Sequence, residues 1–280
     1  MNKPILFISH ITEETELANE LKIFLEEKFS NQLEVFVSSN EHSIELGQDW
    51  LDRITFSLRN CFVELILCSC ESVKRPWINF EAGAGWAREN NNVIPVCHSG
   101  LTPADLPLPL NLLQGISCSS LLDLQKLIKL IAEKLNVEKP SLECQNFIDF
   151  TKSFEEKYTY WNTINTNMDQ FLEIMIKYST LSIDNQILSV QNPLIFLVLL
   201  FNNQLQKVFM KEAHLNIYLK PLLEKFPIGT IEEGPASLSI GIEGTTLGLA
   251  IKKTELFDKI IRSPQFRYNR DISFGGKLNA

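Results

Sequence analysis

Residues 5–10 have the sequence Ile5-Leu6-Phe7-Ile8-Ser9-His10, in which four apolar residues are followed by a hydroxyl and an imidazole. A short apolar run without alternation is typical of a strand that is buried on both faces of a parallel sheet. The run therefore predicts an inner strand that ends near Ser9 and His10. Ligands of open parallel sheets bind beyond the carboxyl ends of the strands, so both side chains are candidates for a binding site.

Helix and strand patterns alternate from this first strand as far as residue 135. Apolar residues recur at helical spacing over 17–29 and again over Leu121–Leu135. Between these helices the patterns predict strands at Leu33–Val37, Val63–Cys68, Val93–Val96 and Ile116–Cys118, and helices at Trp50–Leu58 and Pro76–Glu89. Such alternation indicates an α/β domain over residues 1–138 with a flavodoxin-like, doubly wound parallel sheet.

A different pattern begins after residues 136–146, where Lys139-Pro140-Ser141 interrupts the periodicity and predicts a linker. Residues 147–280 are expected to form a smaller, mostly helical α+β domain that folds separately and regulates the first. Its predicted elements are helices over Phe147–Tyr178, Pro193–Phe226 (broken near Lys211) and Glu255–Arg262, and a hairpin that joins the alternating runs 238–242 and 247–251.

The charge distribution constrains the binding partners of the two halves. Residues 1–144 carry 12 Lys+Arg against 20 Asp+Glu, whereas residues 145–280 carry 14 of each. This acidic excess argues against a nucleic-acid groove in the first half. A mildly basic end, with seven Lys+Arg and three acidic residues over 252–277, leaves nucleic-acid contact open for the second half.

Several classes of protein are not expected from the remaining composition. The longest apolar run, Leu194–Phe201, has 8 residues, whereas a membrane-spanning helix needs roughly 20. The six cysteines lie mostly in apolar runs, and neither disulfide nor zinc spacing is evident. No cationic, apolar leader precedes Ile5. We therefore expect a cytoplasmic protein with reduced core cysteines, no membrane segment and no metal.

A candidate catalytic group lies just after the predicted third strand, in the segment Arg75–Glu81. Pro76 occupies a favourable first-turn position of the next helix. Trp77 and Glu81 are four residues apart, so an indole and a carboxylate share one helical face. Taken alone, this spacing favours a packed Trp beside a solvated Glu. By contrast, the histidines have no recognisable nucleophile nearby and are expected to be surface or core residues: His42, His98 and His214.

These pieces, with Glu45-Leu46-Gly47 in the loop after the second strand, resemble the Toll/interleukin-1 receptor (TIR) family over about residues 3–135. The similarity is greatest to bacterial, NAD-cleaving members. It rests on Phe7–His10, on Glu45–Gly47 in the place of the family's BB loop, on Trp50-Leu51, on Trp77–Glu81 and on Val93–Val96.

Two features of the sequence depart from the family pattern. His10 stands where an aromatic residue such as Tyr is frequent. The continuation Ala82-Gly83-Ala84-Gly85 is also unusual. Because its glycines lie inside a helix and do not bridge strand to helix, they indicate close helix packing and not a dinucleotide fingerprint.

The resemblance implies an NAD⁺ nucleosidase with Glu81 as the catalytic residue, NAD⁺ as the substrate and no cofactor. Trp77 or Phe7 would form an apolar wall near the base, and the product is either ADP-ribose or a cyclic form. Self-association through TIR domains, an antiphage role and control by a small-nucleotide or protein activator of residues 147–280 are also implied. The residues expected to contact substrate are Ser9, His10, Glu45, Gly47 and Trp77.

Two other functional interpretations remain open at this stage. In one interpretation, the first half is a noncatalytic TIR interaction module. In the other, the main function resides in residues 147–280, as a winged-helix-like nucleic-acid binder or as a sensor of a cyclic nucleotide. The carboxylate at Glu81 favours the enzyme, because adaptor-like members of the family commonly lack it.

Overall fold

The structure, a computed structural model, describes residues 3–30, 32–38, 50–89, 91–183, 186–189, 191–201, 207–234 and 246–268. It divides the chain into two compact units, Met1–Thr159 and Tyr160–Ala280. Each unit contains a five-stranded sheet. No helix in the described ranges is long and apolar enough to cross a membrane.

The first unit is built on a parallel sheet with the strand order β2-β1-β3-β4-β5. Its strands are β1 (Ile5–Ser9), β2 (Glu34–Val37), β3 (Cys61–Cys68), β4 (Asn92–Cys97) and β5 (Ile116–Ser117). Its helices are α1 (Thr15–Lys28), α2 (Trp50–Asn60), α3 (Pro76–Trp86), α4 (Leu121–Leu135) and the first part of α5 (Gln145–Tyr178). This architecture confirms the predicted doubly wound α/β fold.

Side chains on the two faces of the sheet enter separate apolar clusters. On one face, Leu6 and Leu65 pack in a large core with residues of α1 and α4. On the other, Phe7 packs with Ile54 and Leu58 of α2, while Ile66 of β3 packs with residues of α3 that include Ile78 and Ala82. Both faces of β1 and β3 are buried, which explains why their sequences are mostly apolar and do not alternate with polar residues.

The boundary between the two units lies further along the chain than the predicted linker. The boundary between the units falls between Thr159 and Tyr160, inside α5, and not within residues 136–146. The boundary lies there because the first part of α5 supplies buried residues to the core of the first unit: Phe147, Ile148, Phe154 and Tyr158. Sequence periodicity detected the end of α4 but not the packing of the next helix.

A buried polar network joins this part of α5 to the carboxyl ends of the strands. Glu14, which has no solvent exposure, accepts a hydrogen bond from Ser69 Oγ at 2.7 Å, and one of its oxygens lies 3.0 Å from His98 Nε2. The hydroxyl of Tyr158 lies 3.0 Å from Ser69 Oγ. His98 is therefore a core residue, and Glu14 is a buried member of the same network.

The second unit has an antiparallel sheet with the order β7-β6-β8-β10-β9. Its strands are β6 (Ser179–Ile183), β7 (Gln186–Leu188), β8 (Lys207–Lys211), β9 (Gly229–Gly234) and β10 (Thr246–Lys253). Its helices are the rest of α5, α6 (Pro193–Phe201), α7 (Glu212–His214), a π-helical turn (Leu215–Leu219), α8 (Lys220–Lys225) and α9 (Glu255–Arg262). Phe171, Phe196 and Phe257 are among the largest side chains of its core.

One prediction for this unit was wrong. Part of the helix predicted over Pro193–Phe226 is the central strand β8, whose alternate residues Val208 and Met210 are buried. Its partners β6 and β10 are distant in sequence, so local periodicity could not reveal the pairing. β10 is a strand, but its neighbours are β8 and β9, and the predicted hairpin partner 238–242 lies outside the described residues.

We expect a fragment of residues 1–159 to be more stable than a fragment of residues 1–138. The shorter fragment lacks Phe147, Ile148, Phe154 and Tyr158, which are buried in the first core. Each such side chain contributes about 1.5–3 kcal/mol, and the cost of ordering the helix offsets part of the sum. Urea unfolding should show a free energy of unfolding lower by about 3 kcal/mol or more. Identical unfolding curves would contradict this assignment.

Candidate active site

The carboxylate of Glu81 is fully buried and is held by two hydrogen-bond donors. Ser9 Oγ, at the end of β1, donates to Glu81 Oε2. Trp77 Nε1 donates to Glu81 Oε1 at 2.7 Å. Ser9 and Glu81 have 0% relative exposure, whereas Trp77 is 36% exposed. The predicted shared face of Trp77 and Glu81 is thus present, and it carries a direct contact between the two side chains.

The start of α3 explains how Trp77 and Glu81 are positioned. Arg75 has an extended backbone conformation, and Pro76 occupies the first turn, where its missing N–H costs no helical hydrogen bond. The Asn79 side-chain amide donates to the carbonyls of Val73 at 3.1 Å and Arg75 at 3.3 Å, which ties the preceding turn to the helix. One turn of helix then separates Trp77 from Glu81 and allows the indole to reach the carboxylate.

Burial also changes the ionisation of this carboxyl group. Loss of solvation raises the pKa of Glu81 from 4.5 to about 7, although the hydrogen bonds from Ser9 and Trp77 act in the opposite direction. These donors favour the charged form, whereas the apolar surroundings favour the neutral form. Glu81 therefore changes its charge close to neutral pH, as is typical of functional carboxyl groups.

The imidazole of His10 lies close to the hydroxyl groups of Ser38 and Thr15. Its Nδ1 lies 3.3 Å from Ser38 Oγ, and its Nε2 lies 3.3 Å from Thr15 Oγ1. Burial lowers the pKa of His10 to about 4, so the ring is neutral at physiological pH. Of the predicted site residues, Ser9 and Trp77 contact Glu81, while Glu45 and Gly47 lie outside the described residues.

Comparison with known families identifies the domain that contains these residues. Residues 6–131 match the family model described as the TIR domain. This segment is a TIR domain. It extends from β1 into α4 and includes Ser9, Trp77 and Glu81. A search of the curated proteins found no match to the chain.

Sequence reasoning also missed the buried carboxyl group of Glu64 in β3. Its side chain has 0% relative exposure, and neither carboxylate oxygen has a hydrogen-bond partner among the described residues. Burial and, second, the negative charge of Glu81 raise the pKa of Glu64 to about 8, against the opposing effects of Arg88 and Asn91. A single charged residue inside the apolar run Val63–Cys68 was the available signal.

The glycines after Glu81 differ in their surroundings. A Cβ atom on Gly85 would lie 1.6 Å from Glu64 Oε2 and 3.0 Å from Val93 Cγ2, whereas a Cβ atom on Gly83 would meet nothing within 4 Å. Gly85 thus allows α3 to approach the Glu64 carboxyl group, in agreement with the close packing expected for this segment. Gly83 makes no comparable contact.

The described residues contain no cluster of three His, Cys, Asp or Glu side chains that could hold a metal ion. Of the other histidines, His98 belongs to the network with Glu14. His214 packs in the second unit against Tyr178, with ring centroids 4.4 Å apart. His42 lies outside the described residues.

We expect Gly85→Ala and Gly83→Ala to have opposite effects on stability. The methyl group at position 85 would overlap Glu64, and overpacking of a buried site costs about 1–3 kcal/mol. At position 83 the added methyl group is unobstructed, and alanine in a helix interior is favoured over glycine by about 0.5–1 kcal/mol. Urea unfolding of the two variants measures both effects, and equal stabilities would contradict the described contact.

Proposed function

We propose that the TIR domain cleaves the nicotinamide–ribose bond of NAD⁺, with Glu81 as the catalytic residue. The observation that supports this proposal is a fully buried carboxyl group that accepts hydrogen bonds from Ser9 and Trp77 at the carboxyl end of β1. A solvated glutamate beside a packed tryptophan does not describe this arrangement. Ligands of doubly wound sheets bind at this edge.

The reaction suits a site with one charged carboxylate. The bond between the nicotinamide nitrogen and ribose C1′ breaks with its electron pair moving to the nitrogen, so nicotinamide leaves as a neutral pyridine. No general acid is required, unlike in glycosidases that protonate an alkoxide. Positive charge develops on the ribose, and a preorganised carboxylate in a site with little water stabilises it. Water then adds to C1′ and releases a proton, which gives ADP-ribose. Attack by an adenine nitrogen would give a cyclic product instead.

Of the two aromatic residues suggested by the sequence, only Trp77 is suitably exposed to contact the substrate. Phe7 has 0% relative exposure and stacks on Phe36, with ring centroids 5.5 Å apart. It belongs to the core, because the inner strand β1 is buried on both faces. Trp77 stacks on Phe80 at 5.2 Å, and both rings are partly open to solvent. Trp77 and Phe80 therefore form the apolar surface that would receive the nicotinamide or adenine ring.

Regulation is part of the proposal. The second unit would control NAD⁺ cleavage in response to a small-nucleotide or protein activator, in an antiphage response. Activity would depend on self-association of TIR domains through the loop that contains Glu45 and Gly47. NAD⁺ is consumed as a substrate, and the proposed reaction uses no cofactor.

A noncatalytic interaction module is the second candidate, and exposed aromatic residues favour it. Phe56 of α2 is 61% exposed, Phe80 is 58% exposed and Trp86, the last residue of α3, is 67% exposed. Aromatic side chains are enriched in protein interfaces. This candidate predicts binding to a protein partner that is unaffected by the charge of Glu81.

We expect Glu81→Gln to reduce nicotinamide release by about 100-fold or more, because the amide keeps the size of the side chain but cannot offset the developing positive charge. Substrate affinity and the fold should be largely retained. The measurement is nicotinamide release from NAD⁺ by the full chain, with wild type and variant at matched concentration and in the same assembly state.

Glu89→Gln is the matched control, since Glu89 is exposed three residues beyond the end of α3. It removes the same charge but should leave turnover near that of the wild type. Equal rates for wild type and Glu81→Gln would remove Glu81 from the mechanism. No cleavage by the wild type under any activating condition would support the interaction module.

We also expect Gly47→Pro to lower NAD⁺ cleavage without unfolding the domain. Proline fixes its own φ and restricts the residue before it, which would limit the loop that is proposed to gate the site and to contact a neighbouring TIR domain. Turnover measured over a range of protein concentrations tests this. Unchanged turnover with no dependence on concentration would argue against the proposed role of self-association.

A further inference from the structure

Glu64 of β3 and Glu81 of α3 both have fully buried carboxyl groups, but the two groups differ in their hydrogen-bond partners. Glu81 accepts hydrogen bonds from Ser9 and Trp77. Neither oxygen of Glu64 has a hydrogen-bond partner at normal distance among the described residues; the amide of Asn91, which lowers the pKa of Glu64, donates instead to the Gly85 carbonyl at 3.1 Å. Donors stabilise a buried carboxylate, whereas a buried carboxyl group without donors is more stable in its neutral form. The two groups are therefore suited to opposite charge states.

The contact at Gly85 places the Glu64 carboxyl group against α3, one helical turn after Glu81. The position of a Cβ atom on Gly85 is 1.6 Å from Glu64 Oε2, so the Glu64 carboxyl group lies against α3 at that residue. Gly85 is four residues after Glu81, and positions four apart on a helix face are about 5–6 Å apart at Cβ. Both carboxyl groups are fully buried and the negative charge of Glu81 raises the pKa of Glu64, so two negative charges here would repel each other.

We infer that Glu64 is a positioning residue of the Glu81 site. At neutral pH, Glu64 holds the proton of a coupled carboxyl pair, and the negative charge remains on Glu81. The pair would lose its protons in two steps, with Glu81 ionised before Glu64. The pKa values of about 7 for Glu81 and about 8 for Glu64 agree with this order. The charge of Glu81 is itself one cause of the raised pKa of Glu64.

The other groups that face Glu64 do not replace Glu81 as its electrostatic partner. From β1 and β4, the residues in register with Glu64 are the apolar Phe7 and Val93. From α2, Ile54 and Leu58 contribute apolar side chains to the cluster beside Phe7.

Two further groups near Glu64 can carry charge. Burial raises the pKa of the Cys61 thiol to about 11, which keeps that thiol neutral in the pH range of interest. Arg88 carries a positive charge that lowers the pKa of Glu64. Its guanidinium donates to the carbonyls of Leu58 and Cys61, the latter at 2.8 Å, so it compensates Glu64 only in part.

A titration of the full-length protein tests this pairing without any use of NAD⁺. The glutamate carboxyl carbons are labelled with ¹³C, and NMR follows their chemical shifts from pH 5 to pH 9.5. Glu64→Gln and Glu81→Gln assign the two signals, because each variant lacks one of them. In wild type we expect a lower midpoint for Glu81 and a higher one for Glu64.

Removal of the Glu81 charge should lower the midpoint of Glu64. In Glu81→Gln we expect a fall on the order of one pH unit, since Coulomb repulsion from position 81 is lost. In Glu64→Gln the lower midpoint of Glu81 should remain, because Glu64 is already neutral where Glu81 titrates. Glu89→Gln should change neither midpoint. An unchanged Glu64 midpoint in Glu81→Gln, or ionisation of Glu64 before Glu81, would overturn the inference.

The pH dependence of stability gives a second test that needs no spectroscopic assignment. The pKa of Glu64 is raised by folding from 4.5 to about 8, so the native protein binds a proton that the unfolded chain has lost. Its contribution to stability is complete below pH 4.5 and is lost as the pH rises to about 8. The urea midpoint of Glu64→Gln should therefore rise relative to wild type across this window. If the urea midpoints of wild type and Glu64→Gln changed in parallel with pH, the raised proton affinity of Glu64 would be contradicted.

The consequence for turnover rests on the proposed NAD⁺ cleavage. Wild-type nicotinamide release should increase as Glu81 ionises and again as Glu64 adds a second negative charge. Glu64→Gln should keep the first increase and lose the second, whereas superimposable profiles would exclude an influence of Glu64 on catalysis. If the wild type does not cleave NAD⁺ at all, the proposed function fails, while the NMR titration still decides whether the two carboxyl groups form a pair.

Discussion

Burial of a carboxyl group at position 81 is the constraint on which the candidate site depends. A carboxylate without solvent is stable only when donors replace the water, and Ser9 and Trp77 supply them from β1 and from the first turn of α3. These hydrogen bonds join the end of β1 to α3. The approach of α3 then depends on Gly85, because a larger residue would overlap Glu64. The position and charge of Glu81 are thus linked to the packing of α3.

A second buried network determines the extent of the first unit. Glu14, Ser69 and His98 follow β1, β3 and β4 and converge around the Glu14 carboxylate. Tyr158 of α5 completes this cluster through the hydroxyl of Ser69. Together with the apolar residues of the same helix, this contact explains why the compact unit continues to Thr159 although its matched family segment ends at residue 131.

The site was only partly predictable from the sequence. The spacing of Trp77 and Glu81 predicted a shared helix face, and the position of Ser9 predicted the end of a strand. Both predictions depend on local geometry, which a short sequence pattern contains. The pairing of Glu64 with α3 was not predicted, because it requires the register of β3 against a helix that follows it by several residues and the absence of a side chain at Gly85. The orientation of His10 towards Ser38 and Thr15 likewise depends on contacts between elements.

The sequence by itself determined the alternating α/β order of residues 5–135 and the place of the candidate carboxylate, because buried parallel strands and amphipathic helices have distinct periodicities. Only the tertiary structure decided that residues 207–211 form the strand β8, since its partners β6 and β10 are distant in the chain. It also decided where the first unit ends and that the Glu64 carboxyl group lies against α3 at Gly85. These outcomes depend on hydrogen bonds, packing and desolvation between residues that are far apart in sequence, and local patterns carry no record of such contacts.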